Sequence, residues 1–195
     1  MSSTTFGKRF LAYLIDIIII AVVGSFIVSF MPAQKVDTKA VNKIVEEYKD
    51  KKITAKEYTK KVSKYTHKVE KVKFPSYIIS FTLTFIYFCL LQYKLKGQTL
   101  GKRFMKIKVV TEEDKDVGVN SLIIRSLIIN ELAFNMLNMV SIYLFNDTMF
   151  TYTNSILTIL NVTLLIICAF MVALKKEKRG IHDYLGKTKV VDIAS

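Results

Sequence analysis

The chain has 195 residues, 51% of them hydrophobic, with a mean hydropathy of +0.32 and a formal net charge of +13. That length suits one domain, and so much apolar content argues against a soluble globule. The 29 Lys and Arg lie mostly between apolar blocks, which points away from nucleic acid and towards anionic lipid or another membrane-surface polyanion.

The first apolar block, residues 10–31, approaches the roughly 20 residues a helix needs to cross a bilayer core of about 30 Å. It follows a basic start, Lys8 and Arg9, but exceeds the apolar stretch of a cleaved signal peptide and contains Asp16, so it reads as a retained span. Residues 32–73 form a loop with 13 lysines against six acids. Val41, Ile44, Val45 and Tyr48 recur at helical spacing, as do Tyr58, Val62, Tyr65 and Val69. Between them, "TAKE" (Thr54 to Glu57) has the capping-box pattern, which predicts a lysine-rich helical hairpin. Such a hairpin is either a solvated amphipathic cap or a docking surface for anionic lipid head groups or wall polymers.

Residues 74–93 carry no charge and read as the second span. In the connector 94–121, "FMKIKVV" alternates at strand period, and "KTKVVDI" near the C-terminus has a similar pattern, so two short strands can pair there. The third block, 122–145, holds Arg125, Asn130, Glu131, Asn135 and Asn138 among apolar residues. It is expected to cross the bilayer with its polar side against other helices; lying partly along the interface is the alternative. Residues 152–174 form a charge-free fourth span, and 175–195 a basic tail. The fold class expected is an all-α polytopic membrane protein of about four spans with short strand-like segments.

The basic flanks at 7–9, 94–108 and 175–180 place both termini on the cytoplasmic side. The 32–73 loop then lies outside, against the usual positive-inside bias. Cys89 and Cys168 fall inside apolar runs without disulfide or metal-ligand spacing and read as packing residues.

A charge at the depth of Asp16 costs about 2.5–3.5 kcal/mol even on lenient insertion scales. Asp16 must be paired, protonated or facing water. Arg9 lies on nearly the same face, roughly 10 Å away along the axis. Arg9, Arg125 and the basic residues of "KKEKRGIHDYLGKTKVV" are the expected cations. His182 beside Asp183 lacks a nucleophile or a third metal ligand, so no enzymatic role and no cofactor are expected. "GQTLGKR" lacks the spacing of a P-loop, and its Gly97 and Gly101 suit a turn or close packing.

Together these residues resemble the RDD family of bacterial membrane proteins. Arg9 and Asp16 in "GKRFLAYLID" and Asp183 in "RGIHDYLGKTKVV" match its Arg/Asp/Asp positions. "GQTLGKRFMKIKVV" and the "LIIRSL" around Arg125 match its middle segments, while the lysine-rich 32–73 loop is longer than the family pattern. The resemblance implies a multi-pass protein of the bacterial cell membrane and is compatible with two functions. One is a scaffold or accessory protein in which Arg9, Asp16 and Asp183 pin the C-terminal segment to the first helix. It would engage lipid, wall polymer or a protein partner. The other is a cation/proton exchanger, working as a dimer, with Asp16, Asp183 and Glu131 as stations.

Overall fold

The computed structural model describes residues 3–32 and 37–193; residues 33–36 of the expected loop and 194–195 of the tail lie outside it. The first helix, α1 (Phe6–Ser29), is built almost entirely of Leu, Ile, Val, Ala and Phe, and buries only Ala12 and Asp16. Most of its other apolar side chains point outward, with Val22 and Phe26 about two-thirds exposed, while Ile15, Ile19 and Ile20 are half-buried. Such a face is stable only where hydrocarbon replaces water.

Helix α2 (Thr38–Lys49) is capped by Asp37, whose carboxylate accepts the Lys39 N–H at 3.0 Å. It folds back on α3 (Ala55–Phe85) through stacked Tyr48 and Tyr58 rings 4.6 Å apart and a Lys61–Glu47 ion pair of 2.6 Å. The capping box forms as the pattern predicts. Thr54 accepts the Glu57 N–H, and Glu57 accepts the Thr54 N–H.

The boundary expected at residue 73 is absent. α3, a π-helical segment (Ile86–Leu91) and α4 (Gln92–Lys94) make one helix of 40 residues, Ala55–Lys94. Pro75 sits inside it and gives up one backbone hydrogen bond without ending the helix. The second arm of the hairpin is therefore continuous with the helix of the second span. His67 ties it to the neighbouring helices, its ring nitrogens 2.6 Å from the Ile142 carbonyl and 2.6 Å from the Asp147 carboxylate.

The third block is interrupted. α6 (Val119–Ile129) and α7 (Leu132–Leu144) meet at a 65° bend, so 122–145 is no single straight helix. Asn130 ends α6, and Glu131 adopts φ 59°, a left-handed conformation that breaks the ladder. α8 (Asp147–Leu174) then runs the length of the bundle. Among the described residues, three helices are long and apolar enough to cross a membrane, or four if the bent pair counts as one crossing.

At one end of the bundle the connector and the C-terminal segment join. α5 (Leu100–Phe104) leads into β1 (Ile107–Thr111), and α9 (Ile181–Leu185) leads into β2 (Thr188–Asp192). The strands pair antiparallel, Val109 opposite Val190, and Ser3 bridges to Val191 from the other edge. Ile107, Val109, Val117, Leu122 and Val190 bury one face of this sheet against Ala12 of α1. Gly97 turns the chain before it at φ 88°, where a Cβ would lie 2.1 Å from the Val109 carbonyl oxygen.

Candidate functional site

Asp16 is fully buried about three turns into α1. Its partners are neutral. Tyr87 donates its hydroxyl at 2.6 Å, Thr99 its hydroxyl at 2.6 Å, and Gly101 its backbone N–H at 2.8 Å. Tyr87 comes from the π-helical segment, where the wider turn carries this side chain towards α1. Thr99 caps α5 and accepts the Lys102 N–H at 3.2 Å, so the carboxylate and the helix start share one hydroxyl. Gly101 brings the backbone of α5 onto α1, leaving no room for a side chain. Among the described residues no guanidinium or ammonium makes an ion pair with Asp16.

Asp183 forms a separate centre. It is fully buried and paired with Arg9 at 3.0 Å and with Arg125. It also accepts the Gly180 N–H at 3.1 Å. Arg125 donates in addition to the Thr188 hydroxyl at 2.6 Å, and Arg9 to the Val190 carbonyl at 3.4 Å. The carboxylate thus joins α1, α6, α9 and β2. Burial alone would raise its pKa, but Arg125 and Arg9 outweigh that and hold the carboxyl well below the usual carboxylate range. Burial pushes the adjacent His182 imidazole down to about 4 despite the pull of Asp183. His182 is neutral at physiological pH.

The expected Arg9, Asp16 and Asp183 cluster is therefore divided. Arg9, Arg125 and Asp183 come together; Asp16 sits in its own network; Glu131 lies at the α6–α7 bend and makes no hydrogen bond or ion pair with any of them. Sequence reasoning missed Tyr87, Thr99, Lys102 and Thr188. The available signal was a Thr two residues before a Gly, directly after an apolar span.

Between the two centres lies a cavity of about 330 Å³. Phe6, Phe10, Phe88, Leu165 and Val172 supply much of its apolar wall, and Arg9, Lys102, Arg125 and His182 line its polar side with no carboxylate among the lining residues. Lys102 makes no ion pair among the described residues. Its Nζ lies 3.5 Å from the Gln92 amide oxygen and 5.6 Å from the centre of the Phe88 ring. Burial pushes its ammonium down to about 8, with Asp16 opposing. No group of three or more His, Cys, Asp or Glu able to hold a metal ion occurs among the described residues. Cys89 and Cys168 are buried free thiols.

The family model of the RDD family matches residues 4–187, nearly the whole chain and both carboxylate centres. Neither a curated protein nor a solved structure matches.

Proposed function

The chain belongs to the RDD family, and on that footing we propose that it is a membrane scaffold or accessory protein of the bacterial cell membrane. In this reading both termini are cytoplasmic, and the buried carboxylates clamp a small cytoplasmic module, α5–β1 and α9–β2, onto the membrane helices. The observation that carries it is the saturation of both carboxylates by groups from distant segments. Asp16 takes donors from residues 87, 99 and 101, and Asp183 takes them from residues 9 and 125. Buried carboxylates whose two oxygens are both partnered fix geometry more than they add net stability. The lysine-rich α2–α3 hairpin is then the outward face, offered to anionic lipid, wall polymer or a protein partner, and the chain carries out no reaction of its own.

A second reading, cation/proton exchange, draws support from the α6–α7 bend. Broken helices at membrane depth expose backbone ends that transporters use to hold ions, and Asn130 and Glu131 sit at this break. The experiment compares wild type with Asp16→Asn in liposomes holding an internal pH dye, under imposed sodium and potassium gradients. The scaffold reading expects no cation-dependent proton flux from wild type and a lower melting temperature in the variant. A flux that disappears in a well-folded variant would sink it.

A further inference from the structure

Lys102 presents an anomaly. A long, half-buried cation lines the cavity, yet among the described residues no carboxylate pairs with it. Arg9 and Arg125 stand on the same cavity, and their shared counter-ion Asp183 does not line it. The polar side of the cavity is therefore positive and incompletely neutralised. Its other walls are mostly apolar, with Gln92, Ser126 and Asn130 as neutral polar groups, and they include residues of α1 and α8, which make little contact with each other. Phe10 of α1, half exposed, and Ala169 of α8, exposed, carry that lining out to the protein surface between the two helices. At about 330 Å³ the cavity lies within the size range of ligand sites.

A cationic recess with an apolar mouth facing the bilayer matches one class of molecule, an amphiphile with an anionic head. Polar groups at such a depth are otherwise left uncompensated. We infer that this cavity holds an anionic phospholipid from the adjoining leaflet, its phosphate at the Lys102 side and an acyl chain between α1 and α8. The site is distinct from the hairpin lysines and does not depend on the scaffold reading. Head-group recognition would come from charge and the cavity wall, and chain recognition from Phe6, Phe10 and Leu165.

The test uses the full chain, purified in detergent and stripped of lipid, titrated with dioleoyl phosphatidylglycerol or dioleoyl phosphatidylcholine and read by native mass spectrometry. Phosphatidylglycerol is expected to bind the wild type in preference to phosphatidylcholine. Lys102→Gln should weaken it by about fivefold, the loss of one near-surface charge interaction. Ala169→Trp, which fills the mouth from an exposed position, should weaken it while leaving the fold intact, and carries the test if Lys102→Gln does not fold. Lys64→Gln in the hairpin should change nothing. Equal binding of the two lipids, or retention of phosphatidylglycerol by Ala169→Trp, overturns the proposal. So does a loss confined to Lys64→Gln, which moves the lipid site to the hairpin. Displacement by millimolar inorganic phosphate would make the ligand a free anion and likewise overturns it.

Discussion

Gly101 gives its backbone N–H to Asp16 at 2.8 Å, and it reaches that carboxylate because it has no side chain. A Cβ there would lie 2.2 Å from the Ala12 carbonyl oxygen and 2.7 Å from Asp16 Oδ1. The connector is thus seated on the first helix by close backbone contact. Gly101→Ala must push α5 away from α1, and overpacking of this kind costs about 1–3 kcal/mol. Thermal unfolding in detergent should show a clear drop. An unchanged melting temperature would mean that α5 is not held against α1.

Asp16→Asn keeps the shape of the side chain but turns one acceptor into a donor that faces the Thr99 hydroxyl or the Gly101 N–H. Leaving a buried donor or acceptor unsatisfied costs about 1–3 kcal/mol. Thr99→Val should cost a similar amount, and the double variant less than the sum, because the two share one hydrogen bond. Strict additivity in the double-mutant cycle would contradict the network.

At the other centre the cost depends on which partner is removed. Asp183→Asn strips the counter-ion from both Arg9 and Arg125, and breaking a buried pair in this way costs about 3–5 kcal/mol. Arg9→Gln leaves Asp183 with Arg125 and should be milder. Proteolysis of the C-terminal segment in membranes gives a second readout, faster in Asp183→Asn than in Arg9→Gln. The reverse order would argue that Arg9 is the principal partner.

Acid should loosen the same centre in two steps. An unfolded His titrates near 6.5, whereas buried His182 does so at about 4. Between these values the unfolded chain binds more protons, so stability falls as pH drops from about 6.5 to about 4. Asp183, whose pKa is depressed in the fold, contributes stability that is present above its ordinary range near pH 4 and is lost at still lower pH. Melting temperatures across pH 4–7 should therefore slope downwards on acidification, and His182→Gln should flatten that slope. An identical slope in the variant would assign the effect to another group.

The orientation proposed for the bundle can be read with an impermeant thiol reagent, since Cys89 and Cys168 are buried and give little background. Lys60→Cys, on the hairpin, should react in intact cells, and Lys94→Cys, at the sheet end, should react only after permeabilisation. The opposite pattern inverts the topology.

Much of this architecture was legible in the chain. The stretch of α8 after Asp147, which carries no charge, and the stretch of α1 after Arg9, interrupted only by Asp16, stand out because a bilayer demands long apolar runs. The pairing of "FMKIKVV" with "KTKVVDI" was visible as alternation at strand period, and it forms in the register Val109 to Val190. What could not be read was the partnership of Asp16. A search for a buried carboxylate's partner looks for cations, and Asp16 uses two hydroxyls and an amide that carry no charge to betray them. The α6–α7 bend was also hidden, because Asn130 and Glu131 signal a polar interruption without stating the left-handed backbone at Glu131. The change from lysine-rich 55–73 to charge-free 74–93 suggested a boundary where the helix continues.

The unbroken helix from Ala55 to Lys94 spans roughly 60 Å at 1.5 Å per residue, about twice the thickness of a bilayer core. It is one continuous shaft. Torque or tilt applied to the hairpin on one side of the membrane travels along it without crossing a loop, and only Pro75 and the π-helical segment offer places to absorb it. The shaft carries Tyr87 near its far end, so whatever grips the hairpin is mechanically connected, 2.6 Å later, to the carboxylate of Asp16.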